Sequence, residues 1–310
     1  MSYKSKLAAA PYLLWTAVFV IVPLILVVVF AFTTTVKVDA EGNVYTNEEI
    51  LELEEAFYEE HDEDEEFDLG LTEKTVFTLA NIMNVSKYTA TLLNSIWLAL
   101  IATVICLVLA YPVAYYASRL HFDSQKMILM LLMLPMWMNF LLRTYAWMTL
   151  LENNGLINRV LGYVGLGPFR MINTQGAVVL GMVYNYLPFM ITPIFTVMSK
   201  IDNRTLEAAQ DLGANPLRVV SKVVLPLSVP GIVSGITMVF VPAVSTFIIS
   251  RMLGGGTNML IGDLIDLQFL GNAYNPNLGA AMSLVLMVFI LFCMSITNAL
   301  DDEDQEAVLI

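Results

Sequence analysis

Few side chains in this sequence could do chemistry, and those that could lie in or beside long apolar runs. The segment NFLLRTYAW places Arg143, Tyr145 and Trp147 within one such run. A charged side chain near the centre of a membrane helix costs about 2.5–3.5 kcal/mol on insertion scales, so a reason for its presence is needed. Two interpretations remain open: Arg143 extends outward or meets Glu152, or the three side chains help to form an external gate.

Two further polar groups interrupt apolar segments. Tyr184 and Asn185 precede a proline, which frees a backbone carbonyl near them, and they either line a pathway or lie where aromatic residues gather at a membrane surface. Asp263 and Asp266 lie in a glycine-rich apolar loop, where carboxylates would attract an ammonium group. Trp97 or Tyr184 would add cation–π attraction. These side chains are the candidates for a substrate pathway or gate.

The longest polar interruption in the apolar second half of the chain runs from Asp202 to Pro226. Its spacing predicts two short helices that meet at a corner. Gly213 supplies the left-handed residue that ends the first helix, and Pro216 fits the first position of the second. Such a corner between two membrane spans is a small rigid knob that a soluble partner could hold and move.

Several classes of function are excluded by what the sequence lacks. It contains no HExxH, CxxC or GxxxxGK[ST] pattern, and its two cysteines, Cys106 and Cys293, both lie in apolar runs. No pair of catalytic groups stands at membrane depth, and no basic surface suggests nucleic-acid binding. The sequence therefore predicts a chain that is not an enzyme and binds no metal or cofactor. Any ATP-driven work would need a separate subunit.

The composition of the chain is that of an integral membrane protein. Of its 310 residues, 57% are hydrophobic and 14% are charged, and the mean hydropathy is +0.70. Soluble domains are about 45–50% apolar and about 25% charged. We therefore expect an all-α protein of the cell membrane with six transmembrane helices. The predicted spans are 11–32, 90–117, 127–150, 176–198, 225–250 and 279–299.

The distribution of lysine and arginine predicts the orientation. The loops on the side of the N-terminus are short and basic, and short basic loops face the cytoplasm. Both termini and the loop 199–224 should therefore be cytoplasmic. The expected regions are the cytoplasmic N-terminus with the first helix (1–33), an extracellular acidic insertion (34–89), the transmembrane domain with the other five helices (90–299), and a cytoplasmic acidic tail (300–310).

The insertion carries nearly all of the net charge of −13. Residues 37–74 hold 16 acidic side chains and two lysines, which leaves the rest of the chain close to neutral. A capping-box pattern at Thr46 and Glu49 predicts a short amphipathic helix near 47–60. The glycine and the final glutamate of a calcium loop are missing. Either the insertion is a solvated, partly disordered acidic face, or it is an electronegative vestibule that attracts a cation or touches a binding protein.

The corner also carries a resemblance. Glu207-Ala208-Ala209, with Gly213 four residues later and Leu225-Pro226 beyond, resembles the EAA signature of type I ABC importer permeases. Most of residues 77–298 resembles one branch of that family, the B-type permease subunit of spermidine/putrescine importers. The similar segments include NSIWLALIATV, LLRTYAW, YNYLPFMITPIF and LIGDLIDLQF. The acidic insertion departs from the shorter loops of the family, so no family role transfers to it.

The resemblance implies a permease subunit that moves polyamines into the cell by alternating access. The corner would dock into a cleft of a cytoplasmic ATPase dimer, which binds the ATP and Mg. Glu207 would make a charge-assisted contact there, Ala208 and Ala209 would allow close docking, and Gly213 would turn the chain. Other implied partners are a homologous second permease, an extracellular polyamine-binding protein and membrane lipid. Alternatives are a permease for thiamine, iron, sulfate or phosphate, or a membrane scaffold.

Overall fold

The computed structural model describes Tyr12 and residues 14–39, 43–45, 71–271 and 274–308, and within them the chain is mainly helical. The helices, numbered in chain order, are α1 (Leu14–Ala31), α2 (Ala80–Val85), α3 (Thr89–Ser118), α4 (Phe122–Met133), α5 (Phe140–Leu151), α6 (Leu156–Tyr163), α7 (Gln175–Met198), α8 (Asn203–Asp211), α9 (Pro216–Val219), α10 (Leu225–Val244), α11 (Ile248–Gly254), α12 (Ile261–Leu270) and α13 (Pro276–Val308). The strands are β1 (Thr33–Val38), β2 (Val44–Tyr45) and β3 (Thr72–Phe77).

Five helical segments of the described chain are long and apolar enough to cross a membrane, and they correspond to five of the six predicted spans. One of them combines α2 with α3, and another combines α9 with α10. The segments are Leu14–Ala31, Ala80–Ser118, Gln175–Met198, Pro216–Val244 and Pro276–Thr297.

The remaining predicted span, 127–150, is not one straight helix. Phe122–Trp137 and Phe140–Tyr163 meet at an angle of 86°, and they make a sixth crossing only if this bent pair counts as one. Pro135 lies in the last turn before the bend and has no N–H to donate. Asn139 then caps α5, since its side chain accepts hydrogen bonds from two backbone N–H groups at 2.8 and 3.3 Å. Hydropathy alone cannot locate a break between two apolar helices.

Residues 1–87 and 267–285 form the first of two compact units. After α1 it contains a three-stranded antiparallel sheet in the order β2-β1-β3, in which Val38 lies opposite Thr72. Both long strands are rich in β-branched residues, which favour extended backbone. Residues 33–38 and 72–77 of this region are thus ordered strands, which the sequence analysis did not predict, and β3 is exposed along its whole length. The helix predicted near 47–60 lies outside the described residues.

The sheet is attached to the end of α1 by two asparagine side chains. Asn81 donates a hydrogen bond to the backbone carbonyl of Thr33 at 2.8 Å, and Asn277 also donates to that carbonyl. Asn81 also donates to the carbonyl of Ala31 at 3.4 Å, and Asn277 to that of Phe30 at 3.3 Å. These two carbonyls lie in the last turn of α1, where a helix leaves carbonyls without partners of its own.

Residues 88–266 and 286–310 form the second compact unit, whose core is built by α3, α7 and α10. Small residues allow these helices to approach closely. A side chain at Gly231 would place its Cβ 2.9 Å from the carbonyl oxygen of Pro193 and 3.0 Å from the Cα of Ile194. On α3, the fully buried alanines are Ala99, Ala102, Ala110, Ala114 and Ala117.

Candidate functional site

The corner between α7 and α10 has the two short helices that the sequence predicts. Asp202 caps α8 by accepting a hydrogen bond from the N–H of Arg204 at 3.0 Å. Asn215 caps α9 in the same way, with the N–H of Arg218 at 2.8 Å. Gly213 lies between the helices with a φ of +84°, which favours glycine. Local hydrogen bonds and one glycine thus define the shape of the corner.

The corner turns one face inward and leaves another face open. Leu206 is buried and Ala209 is half-buried, whereas Leu212 and Leu217 are 90% and 80% exposed. Exposed leucines beside a carboxylate make a surface suited to another protein. We call the exposed set the corner surface; it comprises Glu207, Ala208, Leu212, Gly213 and Leu217. Leu225 and Pro226, at the start of α10, are also exposed.

Arg119 connects the corner to the end of α3, a contact that sequence reasoning missed. Its guanidinium donates hydrogen bonds to the carbonyl oxygens of Met198 and Ile201, each at 3.1 Å, and to Oδ1 of Asn203 at 2.8 Å. Met198 ends α7 and Asn203 begins α8. One side chain therefore holds α3, α7 and α8 at a single point. The only sequence signal was a cation directly after a long apolar run, which we had counted for orientation alone.

Three of the predicted pathway residues meet where α5 faces α7. The rings of Trp147 and Tyr184 have centroids 5.2 Å apart in an edge-to-face arrangement, and the guanidinium carbon of Arg143 lies 5.9 Å from the Tyr184 centroid. Both arrangements are attractive at these distances. We call these residues the arginine–aromatic cluster. Tyr145 and Trp97 have exposed side chains and lie in no ring contact with the cluster among the described residues.

Arg143 neither extends outward nor pairs with Glu152, so that interpretation is wrong. Its side chain is 8% exposed, and Nη1 donates a hydrogen bond to the carbonyl oxygen of Pro135 at 2.9 Å. That carbonyl belongs to the last turn before the bend and also accepts a hydrogen bond from the N–H of Met138 at 3.3 Å. Within the described chain, Nε of Arg143 has no hydrogen-bond partner. Arg143 thus joins the two halves of the bent pair across the break.

Asn185 lies on α7 beside Tyr184 and is 1% exposed. Its Nδ2 donates a hydrogen bond to the carbonyl of Gly181 at 2.8 Å, while Oδ1 has no partner among the residues that the structure describes. An acceptor buried without a donor costs about 1–3 kcal/mol, so its retention favours a role for that oxygen.

Asp263 and Asp266 both face Arg251, which differs from the free carboxylates that we expected. The Arg251 guanidinium contacts Asp266 directly and lies 4.0 Å from Asp263 Oδ1. Asp263 is buried and its Oδ2 accepts a hydrogen bond from the N–H of Leu260 at 2.8 Å. Burial raises the pKa of the Asp263 carboxyl, although this hydrogen bond, the Ser250 hydroxyl and the arginine oppose the rise. The carboxylates hold α11 and α12 together.

No group of three or more His, Cys, Asp or Glu side chains in the described parts of the chain could hold a metal ion. A groove of about 580 Å³ runs between α3 and α7. Its lining is almost entirely apolar and carries no charge, so it offers nothing that would recognise a charged solute. The lining residues are Leu98, Ile101, Ile105, Gln175, Gly176, Val179, Leu180 and Val183.

Solved structures of ABC transporters share this fold. A bacterial ABC transporter involved in the import of the acidic polysaccharide alginate matches with a TM-score of 0.68 and 13% identity, over 96% of both chains. The MetNI methionine ABC transporter, in an inward-facing conformation, matches with a TM-score of 0.51 and 18% identity, over 70% of this chain and 95% of the other. At these identities the similarity shows a shared membrane fold.

Curated relatives are more similar in sequence, although no protein-family model matches the chain. The spermidine/putrescine transport system permease protein PotB of Escherichia coli is 40% identical over 219 residues, or 69% of this chain and 79% of PotB. PotB of Haemophilus influenzae is 38% identical over 73% of this chain and 80% of its own length. The inner membrane ABC transporter permease YdcU of Escherichia coli is 30% identical over 84% of this chain. The chain therefore belongs to the PotB family of ABC transporter permeases, which are transport subunits and not enzymes.

Proposed function

We propose that this chain is a permease subunit of an ATP-driven importer that moves polyamines, spermidine or putrescine, into the cell by alternating access. The observation that carries this proposal is the 40% identity with PotB over more than two thirds of the chain. The span arrangement and the exposed corner support it, because a permease needs both a membrane path and a contact for its energy source.

The corner surface is the proposed contact with the ATPase. Glu207 supplies a charge for a hydrogen bond from the partner, and Ala208 and Ala209 leave room for close docking. Gly213 provides the turn between α8 and α9, and Leu225-Pro226 starts the span that the corner moves. ATP and Mg act on the partner ATPase dimer, since this chain has no phosphate-binding loop.

The arginine–aromatic cluster is the proposed gate of the pathway. The faces of Trp147 and Tyr184 attract ammonium groups, and the unpaired Oδ1 of Asn185 accepts hydrogen bonds from them. Arg143 repels a polycation, so it acts on the gate by joining α4 to α5 and contacts no substrate. Tyr145 lies on the exposed face of α5, and Trp97 on the exposed face of α3, as further candidates for the pathway.

Asp263 and Asp266 are assigned an indirect role near this pathway. Because both carboxylates already face Arg251, they position α11 and α12, and a free ammonium group would have to displace an internal cation to reach them. A second, homologous permease completes the pathway, and an extracellular binding protein delivers the polyamine.

The proposed topology places both termini and the loop 199–224 in the cytoplasm of a multi-pass cell-membrane protein. Lys200, Arg204, Arg218 and Lys222 are clustered in that short loop, as the positive-inside rule expects. The regions are then 1–33, the extracellular insertion 34–89, the transmembrane domain 90–299 and the cytoplasmic tail 300–310.

The test is ATP hydrolysis by the complete complex reconstituted with its binding protein. We expect putrescine or spermidine to stimulate hydrolysis several-fold, while thiamine, iron, sulfate and phosphate leave it at the basal rate. Stimulation by one of those four solutes alone would keep the permease and reject the polyamine. Absence of any complex with an ATPase would leave a membrane scaffold as the better description.

A further inference from the structure

The segment 152–174, between α5 and α7, carries an exposed apolar surface that the proposed transport cycle does not use. In α6, Leu156, Val160 and Tyr163 lie on one side of the helix at spacings of four and three residues, and Val164 continues the same side. Tyr163 is 91% and Val164 is 73% exposed. Apolar side chains this open, in a continuous row, indicate a contact with something outside the chain.

The opposite side of α6 packs against the protein, so the orientation of the helix is fixed. Ile157 is half-buried against the core, and Asn158 is buried. Asn158 Nδ2 donates hydrogen bonds to the carbonyls of Glu152 at 3.1 Å and Phe169 at 2.9 Å, and its Oδ1 accepts from the N–H of Phe169 at 2.9 Å. This one side chain folds the following loop back over α6.

The loop that follows α6 carries two more exposed apolar side chains. Leu166 and Phe169 are both exposed, and the hydrogen bonds of Asn158 hold Phe169 beside the helix. The whole surface is therefore preformed and does not depend on its partner for its shape. We call it the apolar platform; it comprises Leu156, Val160, Tyr163, Val164, Leu166 and Phe169.

The charged residues near the platform favour a lipid surface over a protein as its partner. Arg159 and Arg170 are both exposed. Arg159 lies within α6, where its Nε donates a hydrogen bond to the carbonyl of Asn154 at 3.1 Å, and Arg170 directly follows Phe169. No aspartate or glutamate occurs between Glu152 and Asp202. A helix with an apolar face and arginines beside that face is the type that lies in a membrane surface, where the arginines contact lipid phosphates.

The position of the platform segment between α5 and the spanning helix α7 also supports a lipid surface as the partner. The platform segment follows α5, whose exposed Leu141, Leu142 and Tyr145 form an apolar outer face, and it leads into the spanning helix α7. The chain therefore leaves and re-enters the membrane at the two ends of the platform. Because α7 crosses once between the platform and the corner, the platform lies at the membrane face opposite the corner surface.

We propose that the apolar platform inserts into the lipid head-group region of the leaflet opposite the corner, with Arg159 and Arg170 on lipid phosphates. It acts as a fixed support for the bent pair of helices, since α6 continues directly from α5. This inference does not depend on which solute the importer carries.

The test places a nitroxide spin label on the platform in the complete complex in vesicles that contain phosphatidylglycerol. Tyr163→Cys and Leu166→Cys are made with Cys106→Ala and Cys293→Ala, and collisions with O₂ and with an uncharged nickel chelate are compared. Leu142→Cys serves as the lipid-facing control and Asn153→Cys as the water-facing control. We expect both platform labels to collide more with O₂ than with nickel, by a ratio that lies between those of Leu142→Cys and Asn153→Cys.

Two results would overturn the proposal. Collisions dominated by nickel, as for Asn153→Cys, would show that the platform faces water. Protection from both reagents, lifted when the binding protein or the second permease is omitted, would show a protein contact. As a second measurement, Arg159→Gln with Arg170→Gln should move the labels toward the nickel reagent in these vesicles, and an unchanged depth would reject the role of the two arginines.

Discussion

Among single side chains, Arg119 is the one whose substitution we expect to affect most the coupling of ATP hydrolysis to transport. In Arg119→Ala, α3 loses its three hydrogen bonds to the α7–α8 corner, and hydrogen bonds of a charged group contribute about 1.5–3 kcal/mol. We expect uptake by the complex to fall about tenfold or more while ATP hydrolysis continues, because the corner moves without pulling α3. Transport per ATP in proteoliposomes is the measurement.

Matched variants separate this role from general loss of structure. Lys200→Ala removes a neighbouring exposed cation whose side chain makes no hydrogen bond within the described part of the chain, and it should leave transport per ATP unchanged. Arg119→Lys keeps the charge but cannot reach all three acceptors, so it should fall between the parent and Arg119→Ala. An equal loss of uptake and hydrolysis in Arg119→Ala would contradict the coupling role.

Asp263 predicts a pH dependence of stability. Burial raises its pKa in the folded protein above the ordinary value, so the folded state binds more protons than the unfolded state between those two pKa values. The contribution of Asp263 to the free energy of unfolding is therefore largest at low pH, and it falls as the pH rises through the pKa of the folded state. Relative to Asp263→Asn, the melting temperature of the parent should fall as the pH rises above the ordinary carboxyl pKa, and a difference independent of pH would refute this.

From the sequence, most of these residues were identified as candidates, but the groups that they contact were not predicted. Arg143, Trp147 and Tyr184 were recognised as polar or aromatic groups in apolar runs, and the structure brings them together. Arg119 has partners some 80 positions further along the chain, and no local spacing encodes such a contact. Asp263 looked available to a cation because nothing in the sequence shows that Arg251 turns toward it.

At the scale of helices, the close approach of α7 and α10 predicts a strong effect of one methyl group. In Gly231→Ala, the new Cβ would meet backbone atoms of Pro193 and Ile194 at 2.9–3.0 Å, so the helices must separate. Overpacking of this kind costs about 1–3 kcal/mol, and we expect a lower melting temperature in detergent. Gly162→Ala is the control, because its Cβ would meet nothing within 4 Å. Equal melting temperatures for the two variants would argue against this packing.

Hydropathy predicted well the spans that are long apolar helices. Five spans are long helices because they contain about 20 or more suitable residues and no competing cap. The span at 127–150 breaks because Asn139 caps a new helix inside an apolar run, and an average over a window hides a single residue. The strands β1 and β3 were missed because their acidic surroundings dominated the composition.

At the scale of the whole complex, Gly213 predicts loss of coupling. Gly213→Asp puts a side chain at a φ of +84° and a carboxylate on the corner surface, so the ATPase should lose its contact. We expect uptake to fall below about a tenth of the parent while the protein stays in the membrane. Gly256→Asp is the matched control, since its φ is +74° with equally open space but away from the corner. Normal uptake by Gly213→Asp would reject the proposed contact.

The antiparallel pairing of β1 with β3 has a practical consequence for engineering. Val38 and Thr72 are neighbours across the sheet, so the chain leaves and returns at one point whatever lies between them. Lengthening such a closed loop costs only about 0.6 kcal/mol for each doubling of its length. A fluorescent protein or an affinity tag inserted between these positions should therefore leave the spans undisturbed, and the site offers a handle on the purified importer.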